Sequence, residues 1–252
     1  MPTTVGQNAS RTRAVLSVRW AVRDPSVNLV VLDLSSVQTH LLVQPLSWLA
    51  AEADGALWWP MLSGPGFLDH DRAIAKRCAE LVELPLVWPE RHPAPVPRAM
   101  RITALACERG RGATAMFSFA RLAFGAGADL DRIEQGAGLE EFEAEESGDE
   151  LFLEGVEQDT GLTPVETKLA AEQGSDSDAA LSLLAVELRA VGISSAPALR
   201  WRGQTYLGCR AICSVLLKAP RAPLQLQGMR LDEILSTVGL DGCPAVPSAA
   251  SL

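Results

Sequence analysis

Two adjacent serines stand where an apolar run meets a helical pattern. Asn28-Leu29-Val30-Val31-Leu32-Asp33-Leu34 stops at Ser35-Ser36, and a helix is expected from Val37 to Glu52. A hydroxyl at a helix start sits among backbone N–H groups that lack an intrahelical acceptor, at the positive end of the helix dipole. It can simply cap the helix. It can also help hold an anion. His40 follows one helical turn later and could serve the same mouth as a general base, although a lone histidine on such a helix equally packs or caps. His70 and His92, with Asp69 and Asp71 nearby, lack the spacing of a metal site and read as surface residues.

The cysteines narrow the chemistry. Cys78, Cys107, Cys209, Cys213 and Cys243 form no C-x-x-C, which excludes the usual dithiol redox motif. Cys209 and Cys213 share one face of an expected helix and read as buried structural thiols. A lowered pKa for Cys209 at that helix start would still leave it without a resolving thiol close in sequence.

Positioning these groups requires a strand, a helix and a return to the sheet. Between Gly192 and Gly208 the chain reads GISSAPALRWRGQTYLG, with Pro197 in a short extended stretch, a basic turn at Arg202-Gly203, and a glycine before an apolar helical run. A proline there marks an edge, a bulge or a cis bond. These segments resemble the thioredoxin superfamily, in the branch that holds DsbA-like proteins, kappa-class glutathione transferases and 2-hydroxychromene-2-carboxylate isomerases. Asp33 to Leu41 lies over that branch's D-x-x-S-P-Y-S-Y/W-L motif, and Trp58-Trp59-Pro60 over its second strand. Glu83 to Pro89 looks like its G-hydrophobic-P-hydrophobic-x-F-P segment. Gly192 to Pro197 looks like its cis-proline turn and Thr205 to Gly208 like its closing hairpin strand, so the resemblance runs from about residue 28 to 217.

The resemblance implies an α/β thioredoxin-like fold with an all-helical insertion between its halves, and glutathione as cofactor. It implies that Ser36, beside Ser35, activates the glutathione thiol. It also implies that the backbone of Ala196, next to Pro197, pairs with the tripeptide, and that Gly208, Cys209 and Arg210 face the γ-glutamyl end. The sequence departs from the family at several of these points. Cys209 and Arg210 stand where relatives place a Ser-Asp or similar pair, so a cation replaces a carboxylate. Phe67 lies near an expected lysine, and Val37 and Gln38 replace the Pro and Tyr after the serine. Two functions follow. One is a glutathione-linked isomerase or transferase acting on an aromatic or polycyclic small molecule held between the Ser36 helix and the insertion. The other is a catalytically degenerate thioredoxin-fold binding or assembly subunit.

The expected organisation is a leader over 1–25, in which the alternation from Arg13 to Val22 suggests an extra strand, and a thioredoxin-like domain from 26–90 and 187–220. A helical insertion spans 91–186, and an extension over 221–252 ends in a tail expected to be disordered, after a short helix from Arg230 to Val238. Helices are expected over Asp71–Leu84, Pro97–Phe124, Thr163–Gln173 and Asp176–Val191, with Thr163 and Asp176 as N-caps and Pro45 kinking the first helix. Trp48, Trp58, Trp59 and Trp88 are expected in the core.

Charge is concentrated. Residues 129 to 160 hold thirteen acidic side chains against Arg132 alone, more negative charge than the whole chain's net of −9. That segment reads as a solvated face or loop, with a protein partner as the sharper alternative. An acidic chain without a basic aromatic stripe excludes nucleic acid. With 48% hydrophobic residues but no apolar run of about 18, the chain reads as a soluble globular protein with no membrane partner. The start carries Arg11 and Arg13 without a following apolar core, so a cytoplasmic location is expected. A homodimer is the oligomer that the resemblance suggests.

Overall fold

The computed structural model describes residues 19–53, 55–62, 70–81, 83–93, 96–130 and 148–219. Phe67, Asp69, the acidic stretch 131–147, Cys243 and the expected helix at 230–238 lie outside the described residues.

An uninterrupted apolar run of four residues cannot expose either face, and Leu29–Leu32 accordingly forms β1 with all four side chains buried. β1 pairs in parallel with β2 (Leu57–Pro60), in the register Leu29 to Leu57 and Leu32 to Pro60. A parallel pair needs a crossover, and α1 (Val37–Ala51) supplies it. On its other side β1 pairs antiparallel with β3 (Ala198–Trp201), which pairs antiparallel with β4 (Gln204–Leu207), giving the order β2-β1-β3-β4. Two residues connect β3 to β4, Arg202 at φ 50° and Gly203 at φ 79°. Both central residues at positive φ define a type I′ turn, whose twist matches that of the strands.

α1 runs unbroken through Pro45 and buries Val37, Thr39, His40, Leu42, Val43, Leu46, Leu49 and Ala50. So many buried positions leave little solvated face, because the helix is enclosed by α2 (His70–Leu81), by α8 (Gly208–Leu216) and by part of the insertion. The insertion comprises α3 (Pro97–Glu108), α4 (Gly112–Ala120), a π-helical turn (Arg121–Gly125), α5 (Gly148–Thr160), α6 (Pro164–Ala171) and α7 (Asp176–Ala190). α3 and α4 seat it on β2, while α4 and the π turn seat it on α1.

The expected single helix over 97–124 is two helices and a π turn. Gly110, at φ 71°, turns the chain out of α3. Gly112 then packs so tightly that a Cβ there would lie 2.6 Å from Cys107 Sγ and 2.8 Å from Trp58 Cβ. Gly112→Ala is therefore expected to lower stability by about 1–3 kcal/mol through overpacking, read as a reduced urea midpoint at unchanged slope; an unchanged midpoint would contradict the packing described here. Thr163 caps α6 in a reciprocal capping box with Glu166. The cap of α7 is Ser175, one residue before the expected Asp176, which instead adds negative charge to the first helical turn.

Residues 19–23 are helical, where the sequence alternation suggested a strand through Val22. Tertiary contacts decide this segment. Arg19 and Arg23, one helical turn apart, both grip the buried Glu187 carboxylate of α7, at 2.5 and 2.7 Å. Arg200 of β3 donates to the carbonyls of Val22 (2.7 Å), Ala21 (3.0 Å) and Val27 (3.0 Å). Trp58 and Trp59 are in the core as expected, whereas Trp48 is 38% exposed and Trp88 is half-buried.

Candidate functional site

Ser36 ends the turn that follows β1: its N–H donates to the Asp33 carbonyl at 3.0 Å, and its backbone is extended (φ −103°, ψ 129°). Its hydroxyl accepts from the Gln38 N–H at 3.2 Å, the geometry of an N-cap. Capping uses a lone pair and leaves the hydroxyl proton available to a second group. The neighbouring Ser35 hydroxyl and N–H both go to the Asp33 carboxylate, at 2.6 and 2.9 Å, and Thr39 donates to the Asp33 carbonyl at 2.5 Å. The turn is thus fixed by its own side chains. Ser36 retains 7% exposure.

The Ala196–Pro197 peptide is cis. Val31 pairs with Ala198, and continuing that antiparallel register sets Ala196 and Pro197 beside Leu32 and Asp33, against the turn that carries Ser36. Gly208, at φ 79°, donates its N–H to the Pro197 carbonyl at 2.9 Å and starts α8. Fold topology therefore gathers Ser35, Ser36, Ala196, Pro197 and Gly208 at one end of the two central strands. Cys209 is buried in the first turn of α8 and Arg210 is exposed beside it. Burial pushes the thiols of Cys78 and Cys213 up to about 11 and that of Cys107 well above the usual range, so none of the three is a thiolate near neutral pH.

His40 faces away from this end and toward the insertion. It is 4% exposed, with Nε2 2.8 Å from the Pro85 carbonyl. A carbonyl only accepts, so Nε2 carries the proton and Nδ1 is the basic atom of the neutral ring. Desolvation lowers the His40 pKa, the Pro85 carbonyl opposes that, and the charge of Arg121 reinforces it. A histidine whose folded pKa is depressed contributes stability that is complete above the unfolded value and is lost as pH falls below it, because the unfolded chain then binds more protons. The thermal midpoint is expected to fall as pH drops from about 7 to about 5.5, with a smaller fall in His40→Gln; equal slopes in both proteins would contradict this. His92 titrates in the same direction, since burial and Arg72 both lower its pKa. It is no surface residue: its ring lies 4.8 Å from Trp88 and 5.7 Å from Phe124.

A cavity of about 450 Å³ separates α1 from the insertion. His40 and Gln44 line it from α1, Phe117 and Ser118 from α4, Arg121 from the π turn and Asp159 from α5. Ser118 donates to the Asp159 carboxylate at 2.6 Å, and the Arg121 guanidinium lies 5.5 Å from the Phe117 ring centre. The π turn shapes this wall: the Ala126 N–H bonds back to the Arg121 carbonyl at 2.9 Å. Such turns recur at functional sites. Arg121, Ser118, Asp159 and Gln44 escaped the sequence reading because they come from four separate elements and share no motif. Among the described residues no group of His, Cys, Asp or Glu could hold a metal ion.

A β-α-β unit and a β-β-α unit sharing one sheet, a cis-proline at their junction and helices inserted between them define a thioredoxin-like fold of the DsbA type. A solved structure of 2-hydroxychromene-2-carboxylate isomerase has this fold: it is similar to the chain with a TM-score of 0.57 at 14% identity, over 76% of this chain and 92% of that one. No family model matches the sequence, and no curated protein matches it. Among the described residues no helix is long and apolar enough to cross a membrane.

Proposed function

We propose that the protein is a glutathione-linked isomerase or transferase whose thiol is held at Ser36 and whose aromatic or polycyclic substrate occupies the cavity between α1 and the insertion. The observation that carries this reading is that a single helix serves both places: Ser36 caps α1, and His40 and Gln44 line the cavity one and two turns further on. A cavity of about 450 Å³ with apolar walls and a few polar groups has the size and character of a small-molecule site. The similar solved structure is that of an isomerase of a chromene carboxylate, which agrees with the substrate class proposed.

The residues fit the sulfur end of glutathione better than its γ-glutamyl end. Ser36 offers a hydroxyl proton and the positive end of α1, both of which lower the energy of an anion. Bound glutathione would supply a nucleophilic sulfur. The chain's part is to orient that sulfur, hold it deprotonated through the Ser36 hydroxyl, and exclude water from the α1 cavity. His40 Nδ1 is the candidate to take a proton from a substrate in the cavity. Arg210 stands where a carboxylate would have met the γ-glutamyl ammonium, so recognition at that end runs through the ligand's carboxylate instead.

Calorimetric titration with reduced glutathione tests the reading. Saturable binding to the wild-type chain that weakens in Ser36→Ala is expected. No saturable heat at millimolar glutathione would favour the second reading, a thioredoxin-fold binding subunit without catalysis. That reading has its own support in Arg210, a cation where the resemblance calls for a carboxylate.

A further inference from the structure

At the end of the sheet opposite Ser36, a second and larger cavity of about 710 Å³ opens between the C-terminal end of α1, the β3–β4 hairpin and the C-terminal end of α8. The length of α1, about 20 Å, separates the two ends. Trp201, 7% exposed, and the half-buried Tyr206 form one wall. Tyr206 is held by its hydroxyl, which donates to Gln204 Oε1 at 2.6 Å. Leu49 and Val215 add apolar surface, and the charged groups on the lining are Arg202, Lys218 and Glu52. Among the described residues none of these three makes an ion pair. The lining carries one net positive charge.

Arg202 is the informative residue. It occupies the first central position of the type I′ turn at φ 50°, where a side chain other than that of glycine, asparagine or aspartate is disfavoured. Asn-Gly would make the better turn, and the Asn28 carboxamide already braces this one by accepting from the Arg202 N–H at 3.0 Å. Local conformational preference has thus been set aside for a guanidinium at the rim of a cavity. Such an outlier points toward function. Lys218 has a structural use, since a cation just beyond the end of α8 complements its terminal carbonyls. Arg202 has no comparable use.

We propose that this cavity is a second ligand site, taking a small molecule with an anionic group on a planar apolar body. The anion would meet Arg202 and Lys218, and the ring would lie against Trp201 and Tyr206. Guanidinium and ammonium bind carboxylate or phosphate oxygens by charge-assisted hydrogen bonds, and aromatic walls favour a flat partner. The site is independent of Ser36 and stands or falls separately from the glutathione reading.

The test is calorimetric binding of phenyl phosphate to the full chain, with inorganic phosphate as the control without a ring and benzyl alcohol as the control without a charge. Arg202→Asn suits this test because asparagine fits the I′ turn, so the variant is expected to keep or raise the thermal midpoint while losing the charge. Phenyl phosphate is expected to bind saturably in the millimolar range or tighter, about tenfold more weakly to Arg202→Asn and to Lys218→Gln, and unchanged to Ser36→Ala. Absence of saturable heat up to about 10 mM, equal affinity in wild type and both charge variants, or inorganic phosphate binding as tightly as phenyl phosphate would each overturn the proposal.

Discussion

Arg200→Leu is expected to lower the unfolding free energy by about 3–5 kcal/mol, since three carbonyls aimed at one guanidinium would lose their donor together. Arg200 is 4% exposed, and its bonds to Ala21, Val22 and Val27 tie the helical turn at 19–23 and the segment leading into β1 to the third strand. Burial lowers the pKa of Arg200, and the charge of Asp24 opposes that; taking a guanidinium out of water carries a desolvation cost. The expected loss assumes that the three charge-assisted bonds outweigh that cost. Urea unfolding distinguishes the cases. Wild-type stability in Arg200→Leu would mean that desolvation cancels the bonds, whereas Arg200→Lys, which keeps the charge but cannot span three acceptors, is expected to fall in between.

The other large effect concerns chemistry. In Ser36→Ala, glutathione-dependent turnover of an activated aryl halide is expected to fall about a hundredfold, the usual loss when one donor to a reacting anion is removed. The same change also removes a cap and costs about 1 kcal/mol of stability. Ser36→Asp separates the two roles. Aspartate caps as well as serine, so stability is expected to hold, but its charge repels a thiolate and turnover should fall at least as far as in the alanine variant. If the aspartate variant turned over like wild type, Ser36 would be a cap and nothing more.

The elements legible in the sequence were those specified locally. Four consecutive apolar residues announced the central strand, Arg202-Gly203 announced a turn that the strands confirm as a two-residue hairpin loop, and Thr163-Pro164 announced a helix start. What was not legible depended on distant partners. The alternation through Val22 gave way to a helical turn because Glu187 and Arg200 lie far along the chain. The helix expected over 97–124 breaks at Gly110, and the second helix is then seated by the approach of Gly112 to Trp58, a contact that local propensity does not encode. His40 was legible as a residue one helical turn from Ser36, but its place against Pro85 and Arg121, in the cavity facing the insertion, was not. Around the candidate site, the backbone features were readable and the cavity walls were not.

The central claim is that the start of α1 stabilises a thiolate. The direct measurement is a pH titration of ultraviolet thiolate absorbance for reduced glutathione bound to the protein. The account predicts a midpoint below that of free glutathione, moving back toward the free value in Ser36→Ala. A bound thiol that titrates at the free value, or a midpoint unmoved by loss of the Ser36 hydroxyl, would contradict it.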